Sequence, residues 1–314
     1  MDYGRLTRAM LVLVVAASAM AGSSAQVLAQ VQAKYLYPLS SFGGRLPYEW
    51  VRVCVDEDRG EVYVVNQNVV HIFNGSGMEV FSFGEDLDLG LVLDVAVDRR
   101  GDLLLLSYKD SVAVITRCNY RGEPIGAVEI ANLPAGIRFE PSRMVHRNGL
   151  LYFAALATAS VVVTDEDGRY RQHIDFLSKF EADERQKAGA ELGGFTVDQG
   201  GNILFTVPVL FKVYRYSPEG AMTSFGRPGS APGRFGVVAG VAADRNGYVF
   251  VADKLRSVVM IFDPNFNLVT ELGRRGTRPE NLVIPSEVVF DGRGKIYVTQ
   301  GYRRGVSVFS VEQR

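Results

Sequence analysis

The feature that most constrains this chain is a pattern that comes back 47 residues later: Val241 to Asp253 (VAADRNGYVFVAD) aligns without a gap on Val288 to Gln300 (VVFDGRGKIYVTQ). Each copy is a short apolar run, an Asp-x-x-Gly turn, and a second run of alternating aromatic and β-branched residues. That order reads as a β-hairpin, because the turn residues tolerate bent backbone and their flanks suit a pleated surface. Weaker copies lie at 51–65, 93–107, 142–155 and 193–207, with turn residues at Asp56, Asp98, His146, Asp198, Asp244 and Asp291, a mean step of 47. Six units fit the chain, and a period in this range means repeated supersecondary units rather than one continuous sheet.

Each unit supplies two more strand-like runs, as in Val258 to Phe262 and Leu268 to Leu272, joined by a turn at Asp263 to Asn267. Four antiparallel strands repeated six times predict an all-β, six-bladed β-propeller over residues 34–312, because radial blades leave only short sheet edges. After the last hairpin only Val306 to Val311 remains, so the sixth unit lacks its fourth strand. The surplus strand is at the other end. Tyr35 to Phe42, ending in Phe42-Gly43 like Phe83-Gly84, Phe225-Gly226 and Leu272-Gly273, is expected to complete the blade built from 286–311 and so close the ring.

The passage Phe225-Gly226, Gly229, Gly233, Phe235, Gly240-Val241-Ala242, Asp244, Gly247, Val251-Ala252-Asp253 and Phe262-Asp263, continued by Pro285, Asp291 and Gly294, resembles the NHL repeat family. The resemblance covers 225–309 well, 51–107 fairly and 142–207 weakly. Val238 stands where the repeat usually has proline, and Arg256-Ser257-Val258 replaces its polar Asn-Asn-Arg. The resemblance implies a six-bladed propeller and no particular activity, since such folds host hydrolases, lyases and binding modules.

Residues 1–25 read as a signal peptide: Arg5 and Arg8 precede the apolar run Ala9 to Ala17, small residues follow, and cleavage fits after Ala25, with Ala21 and Ala29 as alternatives. The apolar run is shorter than the roughly 20 residues a membrane helix needs, so no integral membrane segment is expected in the mature chain. The expected location is outside the cytoplasm, periplasmic or extracellular. Lys plus Arg (34) nearly cancels Asp plus Glu (35), so no long-range field attracts a polyanion and nucleic acid is not expected as a partner. Cys54 and Cys118 are the only cysteines, too few to form a disulfide framework for a chain of 314 residues.

The one long insertion, Asp175 to Gly194, is rich in helix formers, and a short helix is expected near 176–190. By chain order it lies on the face of the blade-to-blade connections, where it either caps that face, presents a docking surface or is a solvated loop with no role. Inner strands line the channel, and the residue four before each turn residue is Arg52, Asp94, Ser142, Gly194, Gly240 and Glu287. Three adjacent blades thus put Glu287, Arg52 and Asp94 at the channel mouth, one cation between two carboxylates. They form either a satisfied ion network or a polar recognition site, with Arg52 as anion clamp beside Glu49, Trp50 and Arg143.

Loops between second and third strands add Tyr108, Lys109, Asp253, Arg256, Tyr302 and Arg303 to the same face as a candidate contact surface. His71, His146 and His173 fall on different strands and faces and are not expected to converge on zinc, and Arg52 between Asp94 and Glu287 opposes a cation. Neither metal nor cofactor is therefore expected, and no Gly-x-Ser-x-Gly elbow or phosphate loop is present. The reading that follows is a non-catalytic exported propeller that binds a protein or cell-envelope component through its loop face. The alternative is a metal-dependent hydrolase or lyase at the central channel, resembling the lactonase-type propellers.

Overall fold

The computed structural model describes residues 31–48 and 51–313; residues 1–30, where a signal peptide is expected, and Glu49 and Trp50 lie outside them. The chain forms six four-stranded antiparallel sheets arranged in chain order, with one small extra hairpin, Ser40–Ser41 against Gly44–Arg45. The inner strands are Arg52–Asp56, Leu91–Val97, Arg143–Arg147, Phe195–Val197, Val238–Ala243 and Pro285–Phe290, called here blades one to six in that order.

Second strands are buried on both faces because a blade packs against each side of them. Val249–Asp253 is buried at every residue, as is Ile203–Val207, so these segments read as apolar runs instead of alternating. Outer strands such as Glu79–Phe83 have one free edge and show Val80 and Phe81 to solvent. The core is a set of wedges between neighbouring blades. Between blades five and six, for example, the rings of Phe250 and Phe290 stack at 5.9 Å. Burial of each such ring contributes about 1.5–3 kcal/mol.

The turn aspartates are needed by the hairpins themselves. Asp98 accepts the backbone N–H of Arg100 (2.9 Å) and of Asp102 (3.0 Å), Asp244 and Asp291 repeat the arrangement, and Asp198 accepts the N–H of Asn202. Blade three departs from the pattern: its hairpin turns on two residues, Asn148 (φ 53°) and Gly149 (φ 76°), with Arg147 opposite Leu150. Asn-Gly is the pair that turn prefers, since both positions need positive φ.

The N-terminal strand closes the ring, as the unmatched strands require: Val31–Pro38 pairs with Val306–Gln313, with Tyr35 opposite Phe309. The strand ends earlier than the Phe-Gly comparison suggests. Leu39, 2% exposed and donating its N–H to Val306 O, takes the place that Phe83 holds in blade one. Phe42 is 98% exposed at the tip of the extra hairpin, because Gly43-Gly44 turns the chain there and does not end an outer strand.

The insertion carries a 3-10 turn, Leu177–Lys179, and an α-helix, Glu184–Ala188, opened by a capping box between Asp183 and Gln186. It is a wedge more than a lid. Phe176, Phe180, Ala190 and Leu192 are buried between blades three and four, where Phe180 lies against Tyr214 at 5.2 Å.

Candidate functional site: the two mouths of the central channel

Packing fixes which inner-strand residues are equivalent. Val53, Val95, Met144, Phe195, Val241 and Val288 each face the preceding blade, so the residues before them form one ring at the loop side of the channel. That ring reads Arg52, Asp94, Arg143, Gly194, Gly240 and Glu287. Blade three therefore contributes Arg143 and not Ser142. The tight Asn148-Gly149 turn shortens that hairpin and moves the register by one, so Arg147 stands where blade one has Asp56.

The two glycines are where inner strands crowd together. A Cβ on Gly194 would lie 2.5 Å from Ala239 O, and one on Gly240 would lie 2.5 Å from Glu287 Cα. The other four positions alternate in sign around the ring. Arg52 Nη2 donates to Asp94 Oδ2 at 3.1 Å, and Nη1 pairs with Glu287 Oε1. Each carboxylate also holds the next blade: Asp94 Oδ2 accepts Met144 N at 2.9 Å, and Glu287 Oε2 accepts Val53 N at 3.3 Å. Arg143 is half-buried and, among the described residues, donates to Ser142 O alone, at 2.7 Å; burial, with Arg52 nearby, pushes its guanidinium down to about 9.

At the opposite, turn-side mouth a second cluster spans the axis. Glu57, one residue past the turn aspartate of blade one, reaches Arg147 Nη1 (3.0 Å) of blade three, Gln199 Nε2 (2.9 Å) of blade four and Arg245 Nη2 (3.0 Å) of blade five. Blade six makes room with Gly292, where a Cβ would lie 2.2 Å from Glu57 Oε2. Burial pushes the Glu57 carboxyl up, but Arg147 and Arg245 outweigh it and hold the group below the usual carboxylate range. Between the two mouths lies a cavity of about 370 Å³ that includes Cys54, Val145, Thr196, Ala242 and Val289 in its wall. Cys54 and Cys118 are both free thiols, and burial, then Asp94, pushes Cys54 up to about 12.

The loop-face residues divide into two sorts. Asp253 is fully buried and accepts the N–H groups of Gly236, Val237 and Arg256. Arg256 bonds Ala231 O, Arg234 O and Glu271, pinning the connection that enters blade five. Lys109 pairs with Asp88 at 2.6 Å, Tyr108 is half-buried, and Tyr302 and Arg303 are at the surface. The same face also exposes Leu91, Val112, Val209, Val237 and Leu255. His71 and His146 are committed to Glu79 and Glu166, each at 2.6 Å. Among the described residues no group of three or more His, Cys, Asp or Glu side chains is arranged to hold a metal ion, and no helix is long and apolar enough to cross a membrane.

Sequence reasoning missed Glu57, Gln199 and Arg245. The signal was present: each follows its turn aspartate directly, at a position where the six units vary in charge.

No protein-family profile matches the chain, and no curated protein matches it by sequence. Solved structures do. A protein of unknown function from Bacteroides thetaiotaomicron aligns with a TM-score of 0.63 at 11% identity, over 90% of this chain and 76% of that one. A gluconolactonase from Xanthomonas campestris aligns at 0.57 and 15% identity over 90% of each. A catalytically inactive virginiamycin B lyase from Staphylococcus aureus, solved with quinupristin, aligns at 0.56 and 13% identity, over 89% and 99%. At these identities the likeness is one of fold.

Proposed function

We propose that this chain is a non-catalytic propeller, exported from the cytoplasm, that holds a protein partner or cell-envelope component on its loop face. The observation that carries the reading is the apolar character of that face: Leu91, Val112, Val209, Val237, Leu255 and Tyr302, from four blades, are 38–71% exposed. Exposed apolar groups that share one face favour association, because covering them removes apolar area from water. The channel supports the same reading from the other side, since Asp94 and Glu287 are occupied by Arg52 and by backbone N–H groups. The rival, a metal-dependent hydrolase or lyase in the channel, has the fold alone in its favour.

The test is cross-linking in the native envelope with wild-type protein and with a Leu255→Ser, Tyr302→Ser variant. The variant is expected to fold as wild type and lose at least tenfold of a defined cross-linked species. An undiminished species, or native protein carrying one equivalent of divalent metal that Asp94→Ala removes, would overturn the reading.

A further inference from the structure

The turn-side mouth carries donors that the loop-face reading does not use. Arg147, Gln199 and Arg245 come from three different blades and meet on a single carboxylate, that of Glu57, at 2.9–3.0 Å. Glu57 satisfies them incompletely. Arg147 Nε is buried with no acceptor among the described residues, so this guanidinium is bound through one nitrogen where it can offer two side by side. Within ion-pair distance, two guanidinium groups share the one Glu57 carboxylate. The turn that carries Glu57 is held by Asp56, which accepts the N–H groups of Asp58 (2.9 Å) and Arg59 (3.1 Å), so the Glu57 side chain can leave without unravelling it. Arg245 is 57% exposed, which gives a path from solvent, and the channel cavity of about 370 Å³ opens behind the cluster. That volume is within the range of small-molecule sites.

We propose that this mouth is a binding site for a small carboxylic acid, with Arg147, Gln199 and Arg245 as its anion cradle and Glu57 as the chain's own occupant, displaced when the acid enters. The exchange replaces one carboxylate by another, so the charge balance of the cradle is kept while Glu57 moves to water. A planar monoanion fits the two guanidinium forks. Phosphate and other dianions fit less well, because Asp58, Asp98 and Asp198 line the same mouth. The site stands whether or not the loop face binds a partner.

Glu57→Ala removes the occupant and leaves its donors, and acetate is the fragment that substitution deletes. Acetate is expected to raise the thermal midpoint of Glu57→Ala saturably by several degrees. The wild-type protein should need at least tenfold more acetate, since Glu57 competes, and chloride at matched ionic strength should do neither. A Glu57→Ala, Arg147→Met double variant should lose the response, whereas adding Leu255→Ser and Tyr302→Ser should leave it intact. Should Glu57→Ala not fold, Glu57→Gln keeps the shape without the charge and is titrated with acetate by calorimetry, again against wild type. A response shared by chloride, retained in the Arg147→Met double variant, or missing from both single variants overturns the proposal.

Discussion

The two ends of the channel are braced in opposite ways. At the loop side, Glu287, Arg52 and Asp94 tie neighbouring blades through strand residues, and each carboxylate also accepts an inner-strand N–H of the following blade. At the turn side, Glu57 ties blade one to blades three, four and five across the axis, through residues on or beside hairpin turns. Exposure follows the same division: side chains of the first cluster are 2–16% exposed, those of the three ion-paired members of the second 17–57%. Strand residues are fixed by the ladder to the second strand of their own blade, whereas a turn side chain can swing. The loop-side cluster is therefore part of the fold, and the turn-side cluster is the one that can be exchanged.

The largest effect expected from this contrast is at Arg52. Arg52→Met leaves Asp94, whose side chain is 2% exposed, and Glu287 facing each other without a cation. Removing one partner of a buried ion cluster costs about 3–5 kcal/mol. Urea unfolding should show that loss as a lower midpoint at unchanged slope. A loss under about 1 kcal/mol would mean that the two carboxylates do not depend on Arg52, and the distinction between the two mouths would fail.

Much of this arrangement is legible in the repeat. Aligning hairpins puts Arg52, Asp94 and Glu287 at one level on adjacent blades, and they do meet, because blade order around a closed ring is chain order. The errors have local causes. Arg143 was displaced by one position because a two-residue Asn-Gly turn replaces the four-residue one, and Phe42 looked like a strand end although Leu39 is the buried one. Asp253 and Arg256, read as ligand-facing, turn inward to hold the chain that enters their own blade. Glu57 was missed for a different reason. Its partners lie across the axis, and a repeat alignment encodes neighbours and heights, not which long side chains can span a channel.

A smaller effect, with a pH signature, separates the turn-side mouth from the loop side. Glu57→Gln should cost about 1 kcal/mol at neutral pH, the modest end for charged hydrogen bonds because Arg245 is over half exposed. The Glu57 carboxyl is held below its ordinary value, so its contribution is complete above the usual Glu value of about 4.3 and is lost as pH falls through the lower folded value. Wild type and Glu57→Gln should therefore converge in stability as the pH drops below about 4.3. A gap that stays constant from neutral pH down to acid unfolding would show that the Glu57 charge is not what braces this mouth.

The smallest effect sharpens the comparison within a single ring. Arg143 and Arg52 occupy equivalent positions two blades apart, yet Arg143 has one bond, to Ser142 O, and no acidic partner at ion-pair distance among the described residues. Met keeps the length of the buried stem and removes the desolvated charge, and replacing a buried charge by an apolar side chain of similar volume is often neutral or stabilising. Arg143→Met is expected to change stability by less than about 1 kcal/mol, in the same urea assay that reads about 3–5 for Arg52→Met. The same substitution at the same height then gives two outcomes, and the difference measures what the two carboxylates contribute. If Arg143→Met proves as costly as Arg52→Met, the charge on Arg143 must be balancing Asp94 through space, and the loop-side chain has four members in place of three.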